Sequence, residues 1–216
     1  ELNSESSVVV LDFASDSEPG GGYRGNQQGT QEESLCRRSN LGFGLEALGD
    51  AFPIPTYGAA FVPEVCVFRG REDAGYPFLS EPFWIGGVIA ASLRCVSSDN
   101  QLDRKQASFV RAKIDGVLAI AKHHGHRTLV LGPWGCGAFG NSARCVAELF
   151  SDAIRGPYGR GLDTIVFAFL RSDKFSDFAA VFNDALVVDA RTANSRSSRA
   201  SDGDLALGTS EHGDTE

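Results

Sequence analysis

The chain has 216 residues, 42% hydrophobic and 22% charged, the balance of a soluble globular protein with room for one sizeable domain and an appendage. Its net charge of −8 excludes a protein that grips nucleic acid by neutralising phosphates along an extended face, although backbone N–H groups can still hold a small anion. No apolar run reaches the length of a membrane span, and no signal segment opens the chain. Five cysteines (Cys36, Cys66, Cys95, Cys136 and Cys145) form no C-x-x-C pair, which suggests neither a disulfide framework nor a metal site. They point to a reducing, intracellular compartment. The first residue is Glu and Met is absent, so the sequence is expected to be trimmed or processed, with any upstream targeting segment outside it.

The β-branched run Val8–Phe13 predicts a buried strand ending at Ala14-Ser15. The stretch from Asp16 to Gly29 predicts a loop of a length that is usually functional. Within it, Gly20-Gly21-Gly22 can take positive φ and meet a ligand with no Cβ in the way. After eight further residues comes Gln31-Glu32-Glu33, a carboxylate pair that offers acid/base capacity beside that loop. Thr30-Gln31-Glu32-Glu33 is equally a capping box opening a helix to about Ser39, with acids placed favourably for the helix dipole. The two readings are compatible.

The Gly-rich segment after Ser39 predicts no definite element. Short strands are expected around Ala59–Val62 and Val65–Phe68, then at Phe83–Leu93, where Gly86-Gly87 suggests a bulge or close backbone approach. Phe109, Val110, Ile114, Val117, Leu118 and Ala121 have helical spacing and predict a helix over Gln106–His123. His123, His124 and His126 at its end read as structural. A strand at Thr128–Leu131, a glycine loop from Gly132 to Gly140 and a helix from about Ser142 to Ile154 follow. A strand at Thr164–Leu170 and a helix at Asp173–Leu186, with Ser172 as N-cap, complete the pattern. Strands alternating with helices predict an α/β domain with a mainly parallel, covered sheet over residues 1–188. Residues 189–216 lack any periodic apolar pattern and are expected to be a disordered tail.

Gly135-x-Gly137-x-x-Gly140 matches the dinucleotide fingerprint in a strand-to-helix context, which raises an NAD-dependent oxidoreductase. The acid that should close the next strand is missing, since Asp163 precedes that strand and Arg171 follows it. What survives is the physics of the loop, whose consecutive N–H groups at a helix start can cradle a pyrophosphate. A turn that tightens strand–helix packing remains the structural alternative.

Two stretches, VVVLDFASDSEPGGGYRGNQQGTQEESLCRRS (Val8–Ser39) and HGHRTLVLGPWGCGAFGN (His124–Asn141), resemble the microbial-type poly(ADP-ribose) glycohydrolases. The first carries that family's glycine triplet and spaced Gln-Glu-Glu, and the second its diphosphate-binding loop. The resemblance extends from Val8 to about Leu186, although family members usually carry more chain before the first matched strand. It implies a macrodomain-like three-layer α/β/α sandwich with a mixed, largely parallel central sheet. It also implies hydrolysis of the ribose–ribose O-glycosidic bond to release ADP-ribose, in the cytoplasm or nucleus. The expected partners are ADP-ribose and poly(ADP-ribose), including chains on modified proteins, with no cofactor, metal, membrane or direct nucleic-acid contact.

By the same resemblance Glu33 is the general acid and then the base that activates water, and Glu32 holds the ribose hydroxyls. Adjacent helical residues diverge by about 100°, which favours such a division of labour over a symmetric pair. A neighbouring carboxylate and the ligand's diphosphate are expected to keep Glu33 protonated near neutrality. Gln31 fixes the loop, and Gly20, Gly21 and Gly22 meet the diphosphate and distal ribose. Gly135, Cys136, Gly137, Ala138 and Phe139 close over the same group from the other side. Phe169 or Phe167 stacks on adenine, though either is as readily core. Asp12 stands where the family usually has Asn, and an ionised Asp only accepts hydrogen bonds and is repelled by a diphosphate. A catalytically silent ADP-ribose reader and a mono-ADP-ribosyl hydrolase are the alternatives, the reader needing neither glutamate.

Overall fold

The computed structural model describes residues 8–25, 29–94, 102–170 and 174–182. Strand β1 (Val8–Phe13) lies at the centre of a five-stranded sheet with β2 (Ala60–Arg69), β3 (Phe78–Ala91), β4 (Thr128–Leu131) and β5 (Thr164–Phe167). The order is β2-β3-β1-β4-β5, parallel throughout except for the antiparallel edge strand β2. Alternation along the central strands feeds two cores. Val9, Leu11, Ile89 and Ala91 join α3 (Arg104–His123), α4 (Ala143–Arg155) and α5 (Phe175–Val181) on one face. Ala14, Val88 and Ala90 join α1 (Gln31–Arg38) and α2 (Leu41–Ala47) on the other. The result is a macrodomain-like α/β/α sandwich. Fully buried Trp134, Phe150 and Phe178 anchor the larger core, each contributing about 1.5–3 kcal/mol relative to an exposed side chain.

Several elements differ from expectation. The Gly-rich segment after Ser39 forms α2, because its glycines let the helix sit close to its neighbours. A Cβ on Gly42 would lie 2.5 Å from the Tyr23 ring, and one on Gly44 2.5 Å from Val62 Cγ1. The two short strands expected between Ala59 and Phe68 are one continuous β2, and β3 begins five residues early at Phe78. Pro63 and Glu64 interrupt the burial alternation of β2, and the first residues of β3 are mostly exposed and give no burial pattern. β5 ends at Phe167 rather than Leu170. Ser172, Asp173, Asn183–Leu186 and the tail lie outside the described residues. Gly87 does mark a close approach, since a Cβ there would lie 2.6 Å from the Phe61 ring, which stacks on His124 at 3.8 Å. Among the described residues no helix is long and apolar enough to cross a membrane.

The topology fixes where chemistry can occur. β1 and β4 pair in parallel from Val8↔Thr128 to Val10↔Val130, so the two glycine loops leave the sheet side by side at its C-terminal edge. Such an edge, where the chain runs to opposite sides, is where open α/β sheets bind ligands.

Candidate active site

α1 is docked against β1 by Gln31, whose Oε1 accepts from Phe13 N at 2.8 Å and whose Nε2 donates to Leu11 O at 2.8 Å. The amide thus extends the strand ladder past the point where β4 stops pairing. Gln31 is engaged at both ends and positions the site rather than touching a ligand. With α1 so placed, Glu32 points under the glycine loop, and Glu33 sits half-buried at its mouth. Glu32 Oε2 accepts from Ser15 N at 2.8 Å, and the Gly20 backbone also favours its charged form. Glu33 Oε1 accepts from Gly22 N at 3.1 Å, while its Oε2 accepts from Thr30 N at 2.6 Å and Thr30 Oγ1 at 2.8 Å.

The triplet therefore works differently from the expected diphosphate contact. The Gly22 N–H is turned onto Glu33, the Gly20 backbone onto Glu32, and the Gly21 N–H onto Glu18 O at 3.0 Å. Gly21, at φ +54°, is the point of convergence: a Cβ there would lie 2.5 Å from Glu33 Oε1 and 2.9 Å from Glu32 Oε2. Neighbouring helical side chains that should diverge are drawn to one spot by the turn between them. Arg37, one turn along α1, clamps that turn by donating to Tyr23 O at 2.9 Å and Gly25 O at 3.1 Å.

The second loop is held from below by Trp134 and Asn141, two residues of its own stretch to which the sequence reading gave no role. Trp134 Nε1 donates to Ala91 O at 3.0 Å. The buried Asn141 amide donates to Gly135 O at 3.0 Å and Leu93 O at 3.2 Å. Gly135 (φ +70°) leaves no room for a Cβ, which would lie 2.5 Å from both Asn141 Nδ2 and Leu93 O. Cys136 is buried; its N–H is taken by Pro133 O at 3.0 Å and its thiol, pushed up to about 12 by burial, bonds Trp134 O. The tip, from the exposed Gly137 and Ala138 through the half-buried Phe139 to the exposed Gly140, faces outward. Arg94 joins the two loops: it forms a bidentate pair with Asp16 at 2.7 and 2.5 Å and lies 5.6 Å from the Phe139 ring centroid. Phe169 is half-buried, edge-on to Phe175 and Phe178, and Phe167 packs on Phe150 in the core.

The electrostatics set the two glutamates apart. Burial acts to raise Glu33, but hydrogen bonds from Thr30 and from Gly22 outweigh it and hold the group below its ordinary value. Glu32, 3% exposed, is pushed up to about 7 by burial, against the Ser15 N–H and with the help of the Glu33 charge. Asp12, expected to touch ligand, is 0% exposed beneath α1 and is raised well above the usual range by burial and by the charges of Glu32 and Glu33. Groups raised on folding bind more protons in the native state, so stability falls as pH rises from the unfolded value through the folded one. For Glu32 that window runs from 4.5 to about 7. Urea midpoints are therefore expected to fall between pH 5 and pH 8, by roughly 1–3 kcal/mol in stability. Glu32→Gln is expected to lessen that fall.

Among the described residues, no group of three or more His, Cys, Asp or Glu side chains is placed to hold a metal ion. The acid nearest the dinucleotide pattern, Asp163, pairs with Arg127 at the N-terminal ends of β5 and β4, the sheet edge opposite the glycine loop. A cavity of about 390 Å³ lies behind the glycine turn, between Tyr23, Arg37, Phe43 and Tyr76, and neither catalytic candidate lines it.

Comparison with known proteins accounts for this constellation. Residues 1–69 match the model of the microbial-type poly(ADP-ribose) glycohydrolase catalytic domain. No curated protein matches the chain. The crystal structure of poly(ADP-ribose) glycohydrolase from Thermomonospora curvata superposes with a TM-score of 0.71 and 33% identity, over 82% of this chain and 69% of that one. The same enzyme bound to the inhibitor ADP-HPD gives 0.71 and 33%, over 82% and 71%. The Deinococcus radiodurans enzyme in complex with ADP-ribose gives 0.67 and 28%, over 84% and 77%. With 33% identity over more than two thirds of both chains, this chain belongs to the microbial-type poly(ADP-ribose) glycohydrolase family.

Proposed function

We propose that the chain hydrolyses the ribose–ribose O-glycosidic bond of poly(ADP-ribose), releasing ADP-ribose, including from chains carried on modified proteins. The observation that carries this reading is the convergence of Glu32 and Glu33 on Gly21, beside the outward tip of the second glycine loop. Of the two acids, Glu33 is the accessible one and so the one to meet the scissile oxygen. It starts ionised; an arriving diphosphate adds negative charge and excludes water, and both favour its neutral form. Neutral Glu33 then donates its proton to the departing ribose oxygen as the C1–O bond breaks, leaving an oxocarbenium-like sugar. The Glu33 carboxylate next takes a proton from water as its oxygen bonds that carbon, which restores the acid. Glu32 is too enclosed in this state to hold ribose hydroxyls; through Ser15 and Gly20 it fixes the turn that presents Glu33.

The test is incubation with poly(ADP-ribose) and separation of the products. Monomeric ADP-ribose is the expected product. Binding of ADP-ribose in calorimetry without any release would assign a reader instead, and release only from singly modified protein a mono-ADP-ribosyl hydrolase. Arg94→Ala should separate the loops without unfolding the protein. Its ion pair with Asp16 is largely exposed, a kind worth about 0.2–1 kcal/mol. The expected result is a KM raised about 3–10-fold, through lost positioning, with little change in melting temperature.

A further inference from the structure

Buried polar atoms in a folded protein are almost always paired, so those without partners ask for an explanation. Three such atoms belong to two residues of the facing elements β1 and α1, both carboxyl oxygens of Asp12 and Oε1 of Glu32, and the Glu32 charge acts on Asp12. Asp12 shares the strand face of Ala14 with the core that α1 and α2 close, at 0% exposure. Gln31 grips the β1 backbone on either side of it, at Leu11 O and Phe13 N, and so brings the first turn of α1 directly over it.

The titratable groups around this point are almost all acidic. From α1 come Glu32, Glu33 and the buried Cys36 thiol, itself raised by burial and by Asp12 and Glu32. The glycine loop brings Glu18, whose charge acts on Glu32, and Tyr23, which donates to Glu46 of α2 at 2.8 Å. β2 and β3 offer Ala60, Val88 and Ala90, which are apolar. Arg24 is paired with Glu46, and Arg37 holds loop carbonyls. Among the described residues no positive charge acts on Asp12 and neither of its oxygens has a donor, so an ionised carboxylate there has nothing to offset its desolvation.

We propose that Asp12 is a positioning residue: as a neutral carboxylic acid it donates its O–H to the orphan Oε1 of Glu32, locking that carboxyl so that Oε2 holds the glycine turn. One proton thereby satisfies two of the three orphaned atoms, and Asp12 supplies the donor that an amide would supply at this position. The inference deepens the glycohydrolase reading and rests on it only for its consequence in catalysis. Loss of the Asp12 proton at alkaline pH releases Glu32, loosens the turn and misplaces Glu33.

The experiment compares the wild-type protein with Asp12→Asn and Asp12→Ala. First, the infrared spectrum of each unliganded protein is recorded at neutral pH. A protonated carboxylic-acid carbonyl band is expected in the wild type, with a component from Glu32, and should lose its Asp12 component in Asp12→Asn; a band of unchanged intensity in Asp12→Asn overturns the proposal, whether or not the chain cleaves poly(ADP-ribose). Second, ADP-ribose release is followed against pH. Asp12→Asn is expected to stay within about 3-fold of wild type at neutral pH and to lose the Asp12-dependent decline on the alkaline side. Asp12→Ala is expected to lose about 10–100-fold in kcat with a smaller change in KM. Equal activity and identical pH profiles in all three proteins overturn the positioning role. If Asp12→Ala fails to fold, the Asp12→Asn spectrum and pH profile still decide.

Discussion

Glu33→Gln is expected to lower kcat for ADP-ribose release by about 10²–10⁴-fold while leaving ADP-ribose affinity within a few-fold of wild type. The expectation rests on a division visible in the site. As a fold element, Glu33 accepts from Thr30 on one oxygen and from the Gly22 N–H on the other, and the single carbonyl oxygen of glutamine can keep the Thr30 bonds but not also the Gly22 bond, because its NH2 only donates. Gln also serves at the third helical position of a capping box, so α1 should keep its start, with a small fall in melting temperature from the lost Gly22 bond. What glutamine lacks is a transferable proton. Calorimetry with ADP-ribose beside a release assay separates the two roles. Full activity in the variant would remove Glu33 from the acid's place and direct attention to Glu32, which holds its proton closer to neutrality.

Gly21→Ala is expected to be as damaging to turnover, about 100-fold or more, and to destabilise the protein as well. An alanine at φ +54° is strained by about 1–2 kcal/mol before any contact is counted. Its methyl would then stand 2.5 Å from Glu33 Oε1 and 2.9 Å from Glu32 Oε2, so both carboxylates must retreat. Gly22→Ala provides the contrast, since a Cβ at that position meets nothing within 4 Å and the backbone is not left-handed. Denaturant midpoints and kcat for the two variants should differ sharply. Matching behaviour would mean that the triplet acts through general flexibility rather than through the close approach at its centre.

The parts of this fold that could be read beforehand are those in which burial and periodicity coincide. β1, α3, β4 and α4 have apolar positions that recur at the spacing of their element, and each lies near where that spacing put it. α2 escaped notice because Gly42 and Gly44, poor helix formers alone, are required by the Tyr23 ring and by Val62. The β2–β3 hairpin was fragmented because Pro63 interrupts one strand and the outer half of the other is solvent-facing. At the site, Glu32 and Glu33 were legible as chemistry but not as charge states. Which acid is ionised depends on where backbone N–H groups of a distant loop point, and residue spacing does not encode that. Asp12 illustrates the same gap, since its departure from Asn was visible while its enclosure under α1 was not. Trp134 and Asn141 stand within the second matching stretch, but their bonds to Ala91 O and Leu93 O, like that of Arg94 to Asp16, join segments far apart in the chain, which residue spacing does not encode.

The parallel contact of β1 with β4 has a consequence for biosynthesis. The carboxylates and the glycine loop opposite them are separated by roughly a hundred residues, which emerge from the ribosome at about 5–20 per second. During those seconds the nascent chain already displays Gln31-Glu32-Glu33, and β3 becomes available to pair with β1 before β4 does. The opposite wall arrives only with β4 and the loop after it. The region matched by the family model, residues 1–69, ends well before that point. A prematurely terminated chain would therefore retain the whole glutamate signature yet lack half of the cleft, and a cell that stalls translation there would make no stray glycohydrolase.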